Sequence, residues 1–464
     1  MSEEYDLLNQ PIPKLIRKIA VPTSIGYFFN TMFNVVDTYY GGRVSTEALA
    51  ALSLSFPVFF LIIAVGAGIS TGATALIGHA IGAGDREAAR HLAGQTISFG
   101  LANGILVTLV GLNLAPWLYS LLGGTGGVLT LALSYIDAIF SGSLFFLVNF
   151  VLSSILNATG DSRSFRNFLV TGCVLNFFLD PWFLYGGFGV PAMGVAGLAW
   201  ATVLIQAMGN LYLFTRARRT GLLAGFGWRS LIPERRAYLE LFQQGFPSSL
   251  NMMTVGIGIF VITWFVARFG RDAVAAYGIA TRIEQIALLP VMGMNVATLA
   301  LVAQNNGAGK IERVVETIGK AIKAGVILMG AGTAAVYLCA EPLMGFFTRD
   351  SAVIGIGVSY LRIETFVFIA YVILYTSVSV LQGLKRPAFP LAIGLLRQII
   401  LPLPVFYLLA VTLGFGLYGI WWGIFAVTWG AAAIALLYVG RTVALLTACG
   451  AKVEKGADEG RFVR

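Results

Sequence analysis

Two acidic residues and two polar neighbours lie inside long apolar stretches of the sequence. Asp37 stands near the end of the stretch 14–42, and Asp180 interrupts the run LNFFLDPWFLYG. A carboxylate at membrane depth costs about 2.5–3.5 kcal/mol on insertion scales, so such a residue is a functional candidate by default. Asn176 precedes Asp180 by four residues and shares its helical face, and Thr202 is expected at the same depth. These oxygen-rich side chains predict a site for a proton or for a hard cation such as Na⁺.

The first apolar stretch also predicts a substrate path. Its polar and aromatic residues recur at helical spacing and form one face; they are Asn30, Phe33, Asn34, Asp37 and Tyr40. A substrate cavity is predicted to be lined by four residues of this face, Asn30, Phe33, Asn34 and Tyr40, and by Asn149. Pro22 lacks a backbone N–H, so we expect it to kink this helix.

The composition indicates an all-α membrane protein. The chain has 464 residues, of which 57% are hydrophobic and 11% charged, whereas a soluble domain has roughly 25% charged residues. Long apolar runs without alternation exclude a barrel. The net charge of +9 is explained by membrane topology and gives no reason to expect nucleic-acid binding. Three widely spaced cysteines indicate neither a disulfide framework nor a metal site, and no organic cofactor is expected.

Hydropathy and charge together predict twelve spans with both termini in the cytoplasm. The loops predicted to be inside, with their flanks and the two ends, carry 24 of the 31 Lys and Arg residues, and the outside loops carry 4, which fixes the orientation. The predicted spans are 14–42, 49–78, 90–114, 128–157, 165–187, 192–217, 238–268, 273–304, 314–340, 351–383, 388–412 and 416–445.

The two halves of the chain repeat. A shift of 225 residues places Pro247 on Pro22 and GAGKIE (307–312) on GAGDRE (82–87). We therefore predict two pseudo-symmetric lobes of six helices, as in many secondary transporters. The predicted divisions are an N-terminal lobe (1–215), a basic cytoplasmic linker loop (216–237), a C-terminal lobe (238–446) and a cytoplasmic tail (447–464). Asp37 and Asp180 have no acidic counterpart under this shift, so their role belongs to one lobe.

The predicted C-terminal lobe contains its own charged residues within spans. They are Arg282, Glu284, Arg362, Glu364 and Arg397. Two interpretations are open for this set. It forms either a cross-helix ion-pair network or a second ion site.

Several motifs in this order and spacing resemble the multidrug and toxic compound extrusion (MATE) family, nearest its DinF-like branch. They include NVVD (34–37), EALAALSLSFPV (47–58), GHAIGAGDREAA (78–89), LNATGD (156–161) and GVAGLAWAT (194–202). The resemblance implies a MATE-like fold and a multi-pass protein of the inner membrane that exports organic cations or drugs in exchange for protons or sodium. It also implies that Asp37, Asn176, Asp180 and Thr202 form the ion site of the N-terminal lobe, and that Pro22 bends the first helix. We expect a monomer without enzymatic activity.

Three alternatives compete with this interpretation. A major-facilitator porter also has six plus six spans, but GAGDREAARHLA lacks the basic continuation of that family's loop motif. A lipid-linked sugar flippase of the same superfamily would be expected to have a cationic cavity. A membrane-embedded enzyme needs a nucleophile or metal constellation, and both histidines, His79 and His91, lie at or beside one predicted loop.

The charge bias generates a first prediction. A cysteine introduced as Arg229→Cys, in the predicted linker loop, should react with a membrane-impermeant maleimide only when the cytoplasmic face is accessible. Labelling is measured on intact cells and on inverted vesicles. Arg349→Cys, in a predicted outside loop, is the matched control and should show the opposite pattern. Reaction of Arg229→Cys from outside alone would contradict the topology.

Overall fold

The computed structural model describes residues 6–187 and 189–459, and all of its regular secondary structure there is helical apart from one isolated bridge between Gly187 and Val190. The α-helices are α1 (Ile12–Val44), α2 (Thr46–Gly82), α3 (Arg86–Leu121), α4 (Gly126–Ser141), α5 (Ser143–Ala158), α6 (Ser162–Tyr185), α7 (Val195–Arg219), α8 (Arg235–Val266), α9 (Arg271–Gly307), α10 (Ile311–Leu338), α11 (Ala340–Phe347), α12 (Ser351–Glu364), α13 (Val367–Gly383), α14 (Ala388–Leu395), α15 (Pro402–Phe406) and α16 (Gly416–Glu459).

The predicted all-α membrane fold is confirmed. Within the described chain, nine helical stretches are long and apolar enough to cross a bilayer, and two bent helix pairs bring the number to eleven. The one predicted span that is not among these eleven is the first, which corresponds to α1. At 33 residues α1 is long enough, but the asparagines and the acid on its polar face make it less apolar than the others.

Two predicted spans are not straight. The fourth bends by 48° between α4 and α5, and the tenth by 51° between α12 and α13. At the first bend, a Cβ on Gly142 would lie 2.3 Å from the side chain of Val203, so only glycine allows this approach of α7. At the second bend, the hydroxyl of Thr333 donates to the carbonyl of Thr365 at 2.7 Å. That side-chain bond satisfies a carbonyl at the point where the helix changes direction.

The contacts between residues divide the chain into two compact units. Unit 1 contains residues 22–81 and 85–253, and unit 2 contains residues 6–21, 82–84 and the chain from Thr254 onward. These units differ from the predicted lobes at two helices. The first part of α1 belongs to unit 2, although it was predicted in the N-terminal lobe, and the first part of α8 belongs to unit 1, although it was predicted in the C-terminal lobe. The change of unit within α1 falls at Pro22. In unit 2, the buried residues Ile12, Leu15 and Ile19 of α1 share one apolar cluster with α9.

The segment before α1 is held by the turn between α9 and α10, within unit 2. Arg313 donates to the carbonyl of Gln10 at 2.8 Å and to the side chain of Asn305 at 3.0 Å. Lys310, the lysine of the GAGKIE stretch, donates to Asn9 Oδ1 at 3.0 Å. The chain therefore enters α1 from an anchored turn.

Asp6 stabilises the same turn. Its carboxylate accepts a hydrogen bond from the side chain of Asn9 at 2.8 Å and another from the backbone of Leu8 at 3.1 Å. The Asn9 side-chain bond is the main cause that lowers the pKa of Asp6 below its usual value. Because the folded pKa is depressed, this contribution is present at neutral pH and is lost only as the pH falls through it.

An equivalent anchor precedes α8, within unit 1. Gln95 on α3 donates to the carbonyl of Ile232 at 2.9 Å and accepts from the backbone N–H of Glu234 at 2.9 Å. His91 and Glu234 lie 2.6 Å apart, and Arg90 donates to the carbonyl of Gly221 at 3.1 Å. The basic loop between α7 and α8 is thus fixed on the start of α3.

The first anchor generates a prediction of stability. Arg313→Ala removes charged hydrogen bonds to Gln10 and Asn305, each worth about 1.5–3 kcal/mol when the donor is ionised. We expect a lower melting temperature in detergent. It is measured with a fluorescent dye that does not react with cysteine thiols, or by light scattering. Lys320→Ala, an exposed cation on the same helix, is the control. Equal melting temperatures for the two variants would contradict the anchoring role.

Candidate functional site

The structure brings three of the four residues of the predicted ion site into one hydrogen-bond network. Asn176 on α6 donates through Nδ2 to Asp37 Oδ1 on α1 at 2.7 Å and to Asp180 Oδ2 at 3.1 Å. The carboxyl groups of Asp37 and Asp180 also interact electrostatically with each other. One amide group therefore serves two carboxyl groups from two different helices.

The network is buried. Asn176 and Asp180 have no exposed surface, and Asp37 is 7% exposed. Within the described residues, no salt bridge joins a cation to either carboxyl group, and Asp180 Oδ1 and Asn176 Oδ1 have no hydrogen-bond donor. Two buried carboxylates with one shared amide are under-compensated, since burial of an unpaired charge is very costly. The arrangement can therefore take up a positive charge.

Two tyrosines complete the surroundings of the network. The hydroxyl of Tyr40 donates to the carbonyl of Phe177 at 3.1 Å, which ties α1 to α6. Tyr135 on α4 is buried and lies within electrostatic range of both Asp37 and Asp180. Sequence reasoning missed Tyr135. The available signal was a phenol inside an apolar run that lies at the depth of the acids.

Thr202 and Asn149 are both buried, but their hydrogen bonds go elsewhere. The hydroxyl of Thr202 donates to the carbonyl of Leu198 on its own helix at 3.0 Å. The Thr202 hydroxyl therefore donates no hydrogen bond to Asp37 or Asp180, and its place in the ion site remains a prediction. Asn149 donates to the side chain of Gln206 at 2.6 Å and to the Gln206 carbonyl at 2.9 Å. It joins α5 to α7, and its role in lining a substrate cavity remains a prediction.

The residues of the predicted polar face all lie within α1. Asn34 donates to the carbonyl of Asn30 at 2.9 Å, and Asn30 is exposed. Phe33 is partly buried against the apolar cluster of α3, α5 and α7, and Tyr40 is buried. Contact of these residues with a substrate remains a prediction.

The family model described as MatE matches residues 22–182 and again residues 247–408. The two matches begin at Pro22 and Pro247, which are related by the 225-residue repeat, and together they cover more than half of the chain.

The chain belongs to the MatE family.

Known proteins resemble this MatE chain over nearly its whole length. It is 29% identical over 426 residues to the "Probable multidrug resistance protein NorM" of Thermotoga maritima, and the match covers 89% of each chain. It is 26% identical to a "FAD transporter" of Shewanella oneidensis, over 87% of this chain and 90% of the relative. A solved multidrug resistance MATE transporter in an outward-facing conformation is 27% identical, with a TM-score of 0.89 over 96% of this chain and 99% of that one. The DinF-like branch stays a prediction.

The charged residues of the predicted C-terminal lobe separate into two groups in this MatE protein. Glu364 and Arg397 are buried, and both interact electrostatically with Glu284. Arg282 and Arg362 are exposed, and their place in an ion-pair network or a second ion site stays a prediction. Each of them stands two residues before a glutamate, and residues two apart point to nearly opposite sides of a helix.

The shared amide generates a prediction. Asn176→Leu keeps the approximate size of the side chain but removes both hydrogen bonds to the carboxyl groups, worth about 1.5–3 kcal/mol each if the acceptor is ionised. We expect a clear loss of thermal stability at neutral pH. Asn113→Leu is the control, because that amide is exposed and donates only to Leu109 on its own helix. A loss no larger than that of the control would show that Asn176 does not hold the network together.

Proposed function

We propose that this MatE protein exports organic cations or amphipathic drugs in exchange for protons. The observation that carries the proposal is the buried network of Asp37, Asn176 and Asp180. It provides two carboxyl groups in an apolar setting with a single shared donor. A proton and a cationic substrate both neutralise such a site, so binding of one can displace the other.

A proton fits the network better than Na⁺ does. Sodium needs several oxygen ligands directed at one point, but the amide of Asn176 directs its N–H groups at both carboxyl groups. We therefore propose H⁺ as the coupling ion, with Na⁺ as the alternative that the experiment must separate.

Pro22 is the point at which protonation of Asp37 can change the bend of α1 and so the shape of the substrate path. It lies inside α1, fifteen residues before Asp37, and the missing N–H weakens the helix there. Once Asp37 is neutral, its bond to Asn176 is worth less, and the second half of α1 is freer to move. The proposed coupling therefore runs from the carboxyl group to the kink through a single helix.

The same proposal includes the setting of the protein. We propose a monomer in the plasma membrane with both termini in the cytoplasm, acting as a transporter and not as an enzyme. One relative is named a FAD transporter, but FAD carries two phosphates, and the carboxyl pair of Asp37 and Asp180 repels anions. The acidic network likewise disfavours an anionic lipid-linked sugar as the substrate.

Transport by two isosteric variants tests the proposal. Asp37→Asn and Asp180→Asn should reduce dye efflux from proteoliposomes under an imposed proton gradient to the level of protein-free liposomes, because neither amide can exchange a proton. Glu341→Gln, an exposed glutamate on α11, should retain full efflux.

The same assay separates the two ions. Efflux by the wild-type protein should follow a proton gradient at zero sodium gradient. Efflux that follows only a sodium gradient would overturn proton coupling, and full efflux by Asp37→Asn would remove the network from the mechanism.

A further inference from the structure

The exposed face of α4 is polar, although this helix is part of a membrane span. With α5 it forms one of the bent pairs that are long and apolar enough to cross the bilayer. The exposed residues of α4 are all glycines or polar residues; they are Gly126, Gly127, Thr130, Ser134, Asp137 and Ser141. All apolar residues of α4 are buried or partly buried. Ionisable side chains within spans almost always face the bundle interior or a water-filled cavity, so α4 reverses the usual arrangement.

The two helices beside α4 have the usual arrangement. α4 packs against α3 and α7. Exposed residues of α3 include Ile105, Leu109 and Val110, and those of α7 include Leu204 and Met208. These neighbours expose apolar side chains of the kind that hydrocarbon accepts. The polar face is therefore a property of α4 and needs its own explanation.

The polar residues of this face have the spacing of a helix–helix contact. Four of them form what we call the α4 stripe: Thr130, Ser134, Asp137 and Ser141. Successive members are four, three and four residues apart, which is the heptad spacing of helices that cross at a small angle. Serine and threonine are also common where membrane helices approach each other closely. The stripe extends over about 16 Å of the helix axis, so a partner helix could follow it for several turns.

The hydroxyl groups of the α4 stripe offer acceptors to a partner but no free proton. The hydroxyl of Ser134 donates to the carbonyl of Leu131 at 2.8 Å, and that of Ser141 donates to the carbonyl of Asp137 at 2.7 Å. The hydroxyl of Thr130 also donates to a carbonyl of its own helix, at 3.3 Å. The oxygen of each hydroxyl keeps a lone pair for a donor from outside. The stripe therefore fits a partner that supplies N–H groups.

Asp137 adds a negative charge to the α4 stripe. Among the described residues, no cation forms a salt bridge with its carboxylate and no donor bonds to it. Tyr135, two residues earlier, is buried within electrostatic range of Asp37 and Asp180. Residues two apart point to nearly opposite sides of a helix, so Asp137 points away from that network. The proposed antiport therefore gives this carboxylate no role, and within a span it requires a partner.

A second copy of the chain does not fit the α4 stripe. Pairing of two stripes would bring two Asp137 carboxylates together, and like charges at an interface are unfavourable. It would also place acceptors against acceptors. A helix with a lysine or arginine at the depth of Asp137 supplies the missing positive charge and the missing N–H donors together.

We propose that the α4 stripe is a docking surface for a membrane-spanning helix of another protein, which carries a basic side chain at the depth of Asp137. The N–H groups of that side chain bond to the Asp137 carboxylate, and the partner helix packs closely over Ser134 and Ser141. This interaction goes beyond the proposed export function, and its test does not depend on transport.

Designed membrane-spanning peptides test the charge complementarity. The probe is a leucine–alanine helix of about 20 residues with one lysine at the depth of Asp137, and a matched peptide has leucine at that position. Energy transfer between labelled peptide and labelled protein in liposomes measures association. The lysine peptide should bind the wild-type protein roughly tenfold more tightly than the leucine peptide, as polar contacts between membrane helices allow. Equal binding of the two peptides would overturn the proposal.

Variants of the stripe locate the binding. Asp137→Leu should abolish the preference for the lysine peptide, because it removes the charge and both acceptors. Asp137→Asn keeps the size and polarity of the side chain and should weaken the preference, which separates loss of charge from a folding defect. Asn113→Leu is the control, because that amide is exposed on α3 and donates only to Leu109 of its own helix. An undiminished preference in Asp137→Leu would show that the peptide binds elsewhere and contradict the docking surface.

Two further measurements distinguish other occupants of the α4 stripe. In a chain whose three native cysteines are replaced, Ser134→Cys should form no more disulfide-linked dimer in the membrane than Leu109→Cys, an exposed position on α3. A larger dimer fraction would assign the stripe to a second copy. Dodecylammonium at the concentration of the lysine peptide should leave that peptide bound. Its displacement would assign the stripe to a small amphipathic cation, and either result would overturn the proposal.

Discussion

A carboxyl group inside a bilayer can be kept only if the protein supplies its hydrogen bonds or its counter-charge, because hydrocarbon supplies neither. Much of this structure follows from that constraint. In unit 1, α1 and α6 are joined where one buried amide serves Asp37 and Asp180. Asp37 is one of the polar residues that make α1 less apolar than the other spans, and the same residue connects α1 to α6. Substitution of the amide therefore removes a connection between α1 and α6 together with the hydrogen bonds to both carboxyl groups.

The two units meet this constraint with different chemistry on a repeated frame. The family match begins at Pro22 and again at Pro247, yet the acids do not repeat. Unit 1 uses a neutral amide, which leaves both carboxyl groups in need of positive charge. In unit 2, the buried guanidinium of Arg397 interacts electrostatically with Glu284.

Sequence reasoning predicted the features that depend on local patterns. The apolar runs gave the spans, the 225-residue shift gave the repeat, and the four-residue spacing of Asn176 and Asp180 placed both on one face. It failed where side chains from distant helices decide the outcome. At the bend near Thr365, the carbonyl partner is Thr333 of α10, and Tyr135 comes close to the acids through the packing of α4.

The anchor of the segment before α1 has a consequence for biosynthesis. The carbonyl of Leu7 accepts a hydrogen bond from Asn305, 298 residues later in the chain. Ribosomes add about 5–20 residues per second, so this partner is made on the order of 15–60 s after Leu7. The first helix must therefore enter the membrane long before the turn that will hold its start exists. During that interval the segment before the first helix lacks the partner that holds it in the folded protein.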